Sequence, residues 1–163
     1  MKNNKLEQIY IKYHIELYLY ALSLCQNHHQ AQDLVSETFY KALLSLDHNK
    51  DYIKFWLFRV CKNIFLDNIR KNKHLIKIDN IEELVSLEES PIDKLINSDE
   101  RKQLYYQVLK LSPSYKEAII LHYYCNFSLK EIATAINISE GAAKTLLFRA
   151  RQKLKTELKE ESK

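Results

Sequence analysis

The chain has 163 residues, enough for one large domain or two small ones, and 46% of them are hydrophobic, so it can bury a core. With 1 glycine and 2 prolines it has few residues for tight hairpins, which favours an all-α fold. The formal net charge of +4 is uneven: residues 1–73 hold 11 Lys/Arg and 7 acids, residues 74–92 hold 1 and 5, and residues 93–163 hold 13 and 9. Two basic blocks around an acidic connector indicate two modules that face nucleic acid.

The first predicted element is a helix over residues 5–26. Its apolar residues recur on one face at helical spacing, so we expect this face to pack in a core. They are Leu6, Ile9, Tyr13, Leu17, Tyr20, Ala21 and Leu24. The tyrosines fit core-edge positions with hydrated hydroxyl groups better than a binding site.

A second helix is predicted over residues 31–46, and its outer face is acidic. The expected inward residues are Ala31, Leu34, Val35, Thr38, Phe39, Ala42, Leu43 and Leu46. Asp33, Ser36, Glu37 and Lys41 fall on the opposite side. Because acids repel DNA, this face suits a protein partner with cationic side chains. An ordinary amphipathic helix with solvated acids is the alternative.

After a polar loop over residues 47–54, the run FWLFRVCKNIFLDNIRKNKH predicts a third helix. We expect its buried stripe to comprise Leu57, Val60, Cys61, Ile64 and Asn68, with Trp56 as a core wedge. The other side carries Arg59, Lys62, Asn63, Arg70, Lys71 and Lys73. An asparagine among cations is the composition that reads a base edge while phosphates are held.

Residues 74–90 show no sustained amphipathic stripe, and acids cluster from Asp79 to Glu89. This segment is therefore predicted to be a linker. Ser90 and Pro91 then cap and open a helix with Ile92, Leu95 and Ile96 inward, and Ser112-Pro113 is a further start signal. The predicted organisation is a domain over residues 1–73, an acidic linker over 74–90 and a second domain over 91–163.

The run from Ser128 to Leu154 predicts a helix-turn-helix. Ser128 and Glu131 have the spacing of a capping box, which starts a helix at Leu129. Asn137 ends this helix because asparagine tolerates the left-handed conformation of a tight turn. Ser139 caps a second helix, whose inward stripe is Ala143, Leu147, Ala150 and Leu154.

The outer face of this second helix has the chemistry that a DNA major groove requires. It carries Glu140, Lys144, Thr145, Phe148, Arg149, Arg151 and Gln152. Cations suit phosphates, forked or hydroxyl donors suit base edges, and an aromatic ring suits thymine methyl groups. The alternative is a solvated face on an ordinary helical hairpin.

The sequence contains no pattern that indicates catalysis, a metal or a membrane span. It shows no glycine-rich phosphate loop, no nucleophile with a base, and no paired acids in a plausible pocket. Cys25, Cys61 and Cys125 are widely spaced and fit reduced core thiols; Cys25, His28 and His29 lack a second ligand pair at zinc-finger spacing. We expect no cofactor, no metal site, no membrane insertion and a cytoplasmic location.

These motifs, in this order, resemble those of the bacterial sigma-70 family of RNA polymerase sigma factors, in its small extracytoplasmic-function (ECF) group. The run AQDLVSETF is similar to the family stretch A-E-D-L-V-Q-E-T-F, although Gln32 and Ser36 depart from it. Trp56, Leu57, Asn63, Asp67 and Arg70 match the family motif W-L-x-x-x-A-x-N-x-x-x-D-x-x-R. The segment from Leu111 to Leu154 resembles the family's promoter-binding region, with Ala142, Ala143 and Leu146 as departures.

The resemblance implies a role for each face. Asp33, Leu34, Ser36 and Glu37 would bind the clamp helices of the polymerase β′ subunit. Arg59, Lys62, Asn63 and Arg70 would bind the −10 element, with His48, Asn49, Lys50 and Tyr52 as candidate walls of a base pocket. Lys144, Thr145, Phe148, Arg149 and Arg151 would bind the −35 element.

The resemblance therefore implies a sigma factor with two helical domains, a region 2-like one and a region 4-like one. Such a protein binds core RNA polymerase and promoter DNA, directs another enzyme's chemistry, and is expected to have an anti-sigma factor. A stand-alone helix-turn-helix regulator is the first alternative, and it leaves the acidic face of residues 31–46 without a role. A helical adaptor that binds no DNA is the second, and it leaves residues 140–152 without one.

Overall fold

The computed structural model describes residues 2–45, 52–71, 81–86, 92, 95–96 and 98–161. These residues form helices joined by turns, with no strand among them, which confirms the predicted all-α class. The chain divides into two compact units, Met1–Asn80 and Ile81–Lys163.

The first unit contains three helices, α1 (Lys2–Cys25), α2 (His28–Ser45) and α3 (Ile53–Lys71), and each packs against the other two. Many of the residues predicted to face inward are buried, but Leu6, Ile9, Leu24 and Val60 are only half-buried, and Leu22 is buried although it was not among the predicted residues. The largest fully buried side chains are Leu17, Leu22 and Leu57. Burial of this apolar surface is the main source of helix stability in the unit, since packing of a helix face contributes more than intrinsic propensity.

A turn of two residues, Gln26 and Asn27, joins α1 to α2. Gln26 adopts a left-handed backbone with φ of 48°, and the Asn27 side-chain Oδ1 accepts a hydrogen bond from the Gln30 backbone N–H at 3.0 Å. This bond satisfies one of the free N–H groups at the start of α2. The short connection makes α1 and α2 a helical hairpin.

The helices of the second unit include α4 (Ile81–Ser86), α5 (Asp99–Val108), α6 (Pro113–Ile119), α7 (Leu129–Ile136) and α8 (Glu140–Glu161). A π-helical turn, Ile120–Tyr124, continues α6. The long helix α8 packs against α5, α6 and α7, so these three helices support it.

The start signals in the second unit are only partly as predicted. Pro113 stands at the start of α6, as expected, but the Ser112 side chain makes no capping bond. Ser98, which the sequence did not single out, caps α5 by accepting from the Arg101 backbone N–H at 3.3 Å. Ile92 and Ile96 are buried as predicted, whereas Ser90 and Pro91 lie outside the described residues.

Helix α4 lies inside the segment for which we predicted a linker. It has only 6 residues, and its Leu84 is fully buried. A helix this short presents fewer than two turns, too few for a helical period to be read from the sequence.

Two residues predicted to face inward are exposed. Leu43 is exposed because the preceding residue, Ala42, faces the core. Successive side chains of a helix point about 100° apart, so Leu43 is directed away from the core. Asn68 is exposed because it lies four residues beyond Ile64, the last buried residue of α3. Leu46 and Lys73 lie outside the described residues.

All three cysteines are buried and unbridged. Burial raises the pKa of the Cys61 thiol to about 12, against the opposing effect of a side-chain hydrogen bond with Thr38. A thiol with so high a pKa is protonated and unreactive at neutral pH, as expected for a packing residue. None of the helices in the described residues is both long and apolar enough to cross a membrane.

Candidate nucleic-acid interface

Helix α7 begins with the predicted capping box. The Ser128 Oγ accepts from the Glu131 backbone N–H at 3.1 Å, and the Glu131 Oε1 accepts from the Ser128 backbone N–H at 2.9 Å. The two bonds satisfy N–H groups that would otherwise lack a partner, and they fix the helix start at Leu129. Ile132 and Ala133 are the buried residues of this helix.

Asn137 forms the turn between α7 and α8. Its backbone is left-handed, with φ of 58° and ψ of 52°, and the Ile138 N–H donates to the Ala133 carbonyl at 3.0 Å. Ser139 then caps α8, because its Oγ accepts from the Ala142 N–H at 3.0 Å. The predicted turn is confirmed at both of its ends.

The inner stripe of α8 is buried as predicted. Ala143, Leu147, Ala150 and Leu154 all lie in the core of the second unit, where α8 packs on α6 and α7. Two alanines in this stripe bring the helix axis close to its neighbours, while Leu147 and Leu154 fill the space between them.

The outer face of α8 is open. Lys144, Thr145, Phe148 and Arg149 are all exposed, and 57% of the Phe148 surface is accessible. Gly141 has no atom within 4 Å of the position that a Cβ would occupy. The start of the helix is thus free to approach a flat or concave partner closely.

Arg151 stands apart from the other four candidate residues. Its Nη1 donates to the Tyr123 hydroxyl at 2.9 Å, so the guanidinium is turned toward the π-helical turn. Arg151 is exposed like the other four, and this bond to Tyr123 is what sets its orientation. Sequence spacing had placed it on the outer face.

The π-helical turn itself was not predicted. The Cys125 N–H donates to the Ile120 carbonyl at 3.0 Å, the five-residue spacing of a π-helix. Arg101 of α5 holds the turn: its guanidinium lies 4.7 Å from the centre of the Tyr124 ring, and the Tyr124 hydroxyl donates to the Arg101 carbonyl at 2.8 Å. Burial raises the pKa of Tyr124 to about 12, while Arg101 acts in the opposite direction.

Helix α2 presents the predicted acidic face. Asp33, Ser36 and Glu37 are exposed, but only 2% of Leu34 is accessible. The expectation that Leu34 contacts a partner is therefore corrected: its side chain packs in the core, one residue past Asp33 on the inward side. Thr38, also inward, is fully buried and donates to the Leu34 carbonyl at 2.7 Å.

Helix α3 presents most of the predicted cationic face. Arg59, Asn63 and Arg70 are exposed, whereas Lys62 is half-buried. Arg70 forms an ion pair with Asp67 at 3.3 Å, one turn earlier on the same helix. This exposed pair contributes little stability, so Arg70 can exchange Asp67 for another anion at small cost. Of the candidate loop residues, Tyr52 is exposed, and His48, Asn49 and Lys50 lie outside the described residues.

The Cys25, His28 and His29 group does not form a metal centre in the described part of the chain. The His28 Nδ1 lies 2.8 Å from the Tyr18 hydroxyl, and both side chains are buried between α1 and α2. The described residues contain no group of three His, Cys, Asp or Glu side chains that could hold a metal ion.

Comparison with known proteins accounts for both units. The family model for Sigma-70 region 2 matches residues 9–75, and the model for Sigma-70, region 4 matches residues 101–154. The ECF RNA polymerase sigma factor SigM of Bacillus subtilis (strain 168) is 36% identical over 154 residues, which covers 92% of this chain and 93% of SigM. The chain belongs to the ECF family of RNA polymerase sigma factors.

Other relatives agree with this assignment. SigW of the same organism is 28% identical over 160 residues, covering 91% of this chain and 86% of SigW. The sigma factor RpoE of Bartonella quintana, solved with the anti-sigma factor NepR, has a TM-score of 0.68 and 26% identity, and the match covers 98% of each chain. CnrH, solved with the cytosolic domain of CnrY, matches in fold with a TM-score of 0.66, 22% identity, and coverage of 94% of this chain and 87% of CnrH.

As an ECF sigma factor, the chain binds core RNA polymerase and directs promoter-specific initiation of transcription. This function gives both units a role. The stand-alone regulator and the adaptor each left one unit unexplained, and neither is needed now that region 2 and region 4 are both matched.

The turn at Asn137 generates a stability prediction. Asn137→Gly is expected to keep the turn, because glycine adopts positive φ without steric cost. Asn137→Ala places a Cβ against the following carbonyl in the left-handed conformation, so we expect it to be about 1 kcal/mol less stable than the glycine variant. Hydrogen exchange of the α7 and α8 backbone amides measures the difference. Equal protection in the two variants would show that the turn does not depend on this backbone conformation.

Proposed function

We propose that the second unit recognises the −35 promoter element through the outer face of α8. The observation that carries the proposal is the common exposure of Lys144, Thr145, Phe148 and Arg149 on one side of a helix that is fixed by its turn and caps. A guanidinium can donate two hydrogen bonds to a guanine edge, and a hydroxyl can form a hydrogen bond with more than one kind of base. A phenyl ring packs on a thymine methyl group. Lys144 suits a phosphate.

Arg151 is assigned a contact at the edge of the same interface. A guanidinium has five N–H donors, so the bond to the Tyr123 hydroxyl leaves others for a phosphate. Held in this way on the flank of α8, Arg151 would fix the height of the helix in the groove rather than read a base.

For the first unit we propose two separate faces. Arg59, Lys62, Asn63 and Arg70 of α3 would bind the −10 element, with the Asn63 amide reading a base edge and the cations holding phosphates. Asp33, Ser36 and Glu37 of α2 would bind cationic side chains of the polymerase, at the clamp helices of its β′ subunit. Leu34 would support this face from the core.

The proposed domain roles follow the predicted organisation. Residues 1–73 would carry polymerase and −10 binding, and residues 91–163 would carry −35 binding. Residues 74–90 would lead from the first unit into the second, and their α4 already belongs to the second unit. We further propose that the chain acts in the cytoplasm, is not itself an enzyme, and needs no cofactor, since the polymerase supplies the chemistry. The sigma factor RpoE of Bartonella quintana was solved in complex with the anti-sigma factor NepR, and an anti-sigma factor is proposed for this chain by analogy.

The −35 assignment predicts distinct outcomes for two substitutions on α8. Arg149→Ala is expected to weaken promoter binding by about 1 to 3 kcal/mol and to relax specificity at one position, because a base contact is lost. Lys144→Ala is expected to weaken all sequences alike and to reduce the salt dependence by about one counterion. Holoenzyme affinity for promoter fragments, measured over a salt series, distinguishes the two.

Lys159→Ala is the matched control for these substitutions. It removes one exposed cation from the same helix, about 15 Å beyond Arg149 at 1.5 Å per residue. It should leave affinity and specificity unchanged. Promoter binding that is as strong in Arg149→Ala and Lys144→Ala as in the control would refute the assignment of this face.

The division of labour in the first unit predicts opposite phenotypes. Asn63→Ala should leave core polymerase binding unchanged but impair opening of the −10 region. The double variant Asp33→Lys with Glu37→Lys should instead lose core polymerase binding, because like charges across an interface cost several kcal/mol. Co-purification with core polymerase and permanganate reactivity of promoter thymines report the two functions. Loss of co-purification in a folded Asn63→Ala protein would contradict the separation.

A further inference from the structure

The Tyr123 hydroxyl has a proton to donate and no acceptor for it among the described residues. Tyr123 is 38% accessible, although it stands between half-buried His122 and buried Tyr124. Its hydroxyl oxygen accepts a hydrogen bond from the Arg151 Nη1 at 2.9 Å. A tyrosine hydroxyl that accepts one bond still carries its own O–H donor. This donor is therefore available to a molecule outside the chain.

The Arg151 guanidinium keeps its full positive charge. Other exposed cations of the chain are paired with acids: Arg70 with Asp67 at 3.3 Å, and Lys153 with Glu157 at 3.8 Å. Arg151 is instead oriented by a neutral hydroxyl, and it has no acidic partner within the described ranges. Its remaining N–H donors, beside the Tyr123 O–H, form a small surface on which donors and charge converge. Such a surface suits an anion.

The backbone of Tyr123 is fixed by Arg101 of α5. The last carbonyls of a helix lack partners within the helix, and the Tyr123 carbonyl accepts from the Arg101 Nη2. The same guanidinium lies 4.7 Å from the centre of the Tyr124 ring, whose hydroxyl donates to the Arg101 carbonyl at 2.8 Å. Arg101 thus holds the end of the π-helical turn at several points.

The ring of Tyr123 is held by His122. The two rings are perpendicular, with centroids 4.8 Å apart. The His122 Nδ1 donates to the Phe127 carbonyl at 2.8 Å, which fixes the imidazole in turn. A donor that is already in position loses little conformational entropy when it binds a partner.

We propose that the Tyr123 hydroxyl and the Arg151 guanidinium together bind one phosphate of promoter DNA beside the −35 element, and that Arg101 is the positioning residue for Tyr123. This rests on the proposed binding of α8 to that element. Arg151 supplies the charge and Tyr123 supplies a neutral donor. The bond from Arg151 polarises the hydroxyl, which makes its proton a better donor to an anionic oxygen.

The position of Arg151 along α8 favours DNA over a free anion. Arg151 follows Lys144 by seven residues, two helical turns, so both lie on the same side of α8 about 10 Å apart. Lys144 is the residue proposed to hold a phosphate at the other end of the recognition face. A second phosphate contact on that side would fix the tilt of α8 in the groove and carry no sequence information.

The test uses holoenzyme and promoter fragments in which single phosphates around the −35 element are replaced by neutral methylphosphonates. The variants are Tyr123→Phe, which keeps the ring, Arg151→Gln, and the two combined. Tyr115→Phe is the matched control, because it removes a hydroxyl from α6, eight residues before Tyr123 and about 12 Å away along a helix.

On unmodified DNA, Tyr123→Phe should bind on the order of tenfold more weakly for every −35 sequence, because a hydrogen bond to a charged group is lost. Arg151→Gln should also reduce the salt dependence by about one counterion. The loss in the double variant should be clearly smaller than the product of the two single losses, since both groups bind one phosphate. Tyr115→Phe should bind as the unaltered protein does.

The methylphosphonates identify the contact itself. At one phosphate, neutralisation should weaken binding by the unaltered holoenzyme and have little further effect on the double variant. If the bond between Tyr123 and Arg151 only stiffened the second unit, Tyr123→Phe would lower the thermal unfolding midpoint of the free protein, and each methylphosphonate would affect all variants equally. That pattern would overturn the inference.

Arg101→Lys tests the positioning role. Lysine keeps the charge but has no planar fork to bind the Tyr123 carbonyl and stack on the Tyr124 ring. It should weaken promoter binding in the unaltered chain and have no further effect in the Tyr123→Phe background. Equal losses in both backgrounds would show that Arg101 acts independently of Tyr123.

Promoter binding by Tyr123→Phe that equals that of Tyr115→Phe would overturn the inference. If Arg149→Ala and Lys144→Ala still weakened binding in that case, the proposed function of α8 would stand without it. Inorganic phosphate tests the other source of the same oxygens. If it bound the free protein, lost affinity in Tyr123→Phe, and no methylphosphonate distinguished the variants, the site would serve a free anion and the inference would be wrong.

Discussion

The left-handed backbone at Asn137 is the constraint on which the DNA-binding part of this sigma factor depends. It reverses the chain within three residues, between the end of α7 at Ile136 and the start of α8 at Glu140. With Ser128 and Ser139 capping the two helices, the turn sets which side of α8 enters the core. Once Ala143 and Leu147 are buried, helical geometry leaves Lys144 and Phe148 no position except the outside. The recognition face is thus a consequence of the turn and caps.

In the first unit, too, the buried residues of each helix determine which residues are exposed. A two-residue turn pairs α1 with α2, and the buried stripes of α2 and α3 determine their outer faces. The outer side of α2 is acidic and then apolar, while the outer side of α3 is cationic with an exposed Asn63. Opposite charge on two helices of one small unit suits two partners of opposite character, a protein and a nucleic acid.

Features set by local chemistry were predictable from the sequence, and features set by tertiary contacts were not. The capping box at Ser128 and the inner stripe of α8 involve residues within a few positions of each other, so their spacing was sufficient. The π-helical turn depends on Arg101, which lies over twenty residues away from Tyr124, and Arg151 is oriented by Tyr123 in the same way. Asn68 has the helical spacing of the buried residues of α3, but it lies beyond the point where α3 stops packing against the other helices. No sequence pattern marks that point.

The central claim is that side chains on the outer face of α8 read bases of the −35 element. The most direct measurement selects promoters from a library randomised in both elements, using holoenzyme with the unaltered chain or with Arg149→Lys. Lysine cannot reproduce a forked two-bond contact, so the account predicts a changed base preference at one −35 position and an unchanged −10 preference. The same −35 sequences selected by both proteins would contradict it.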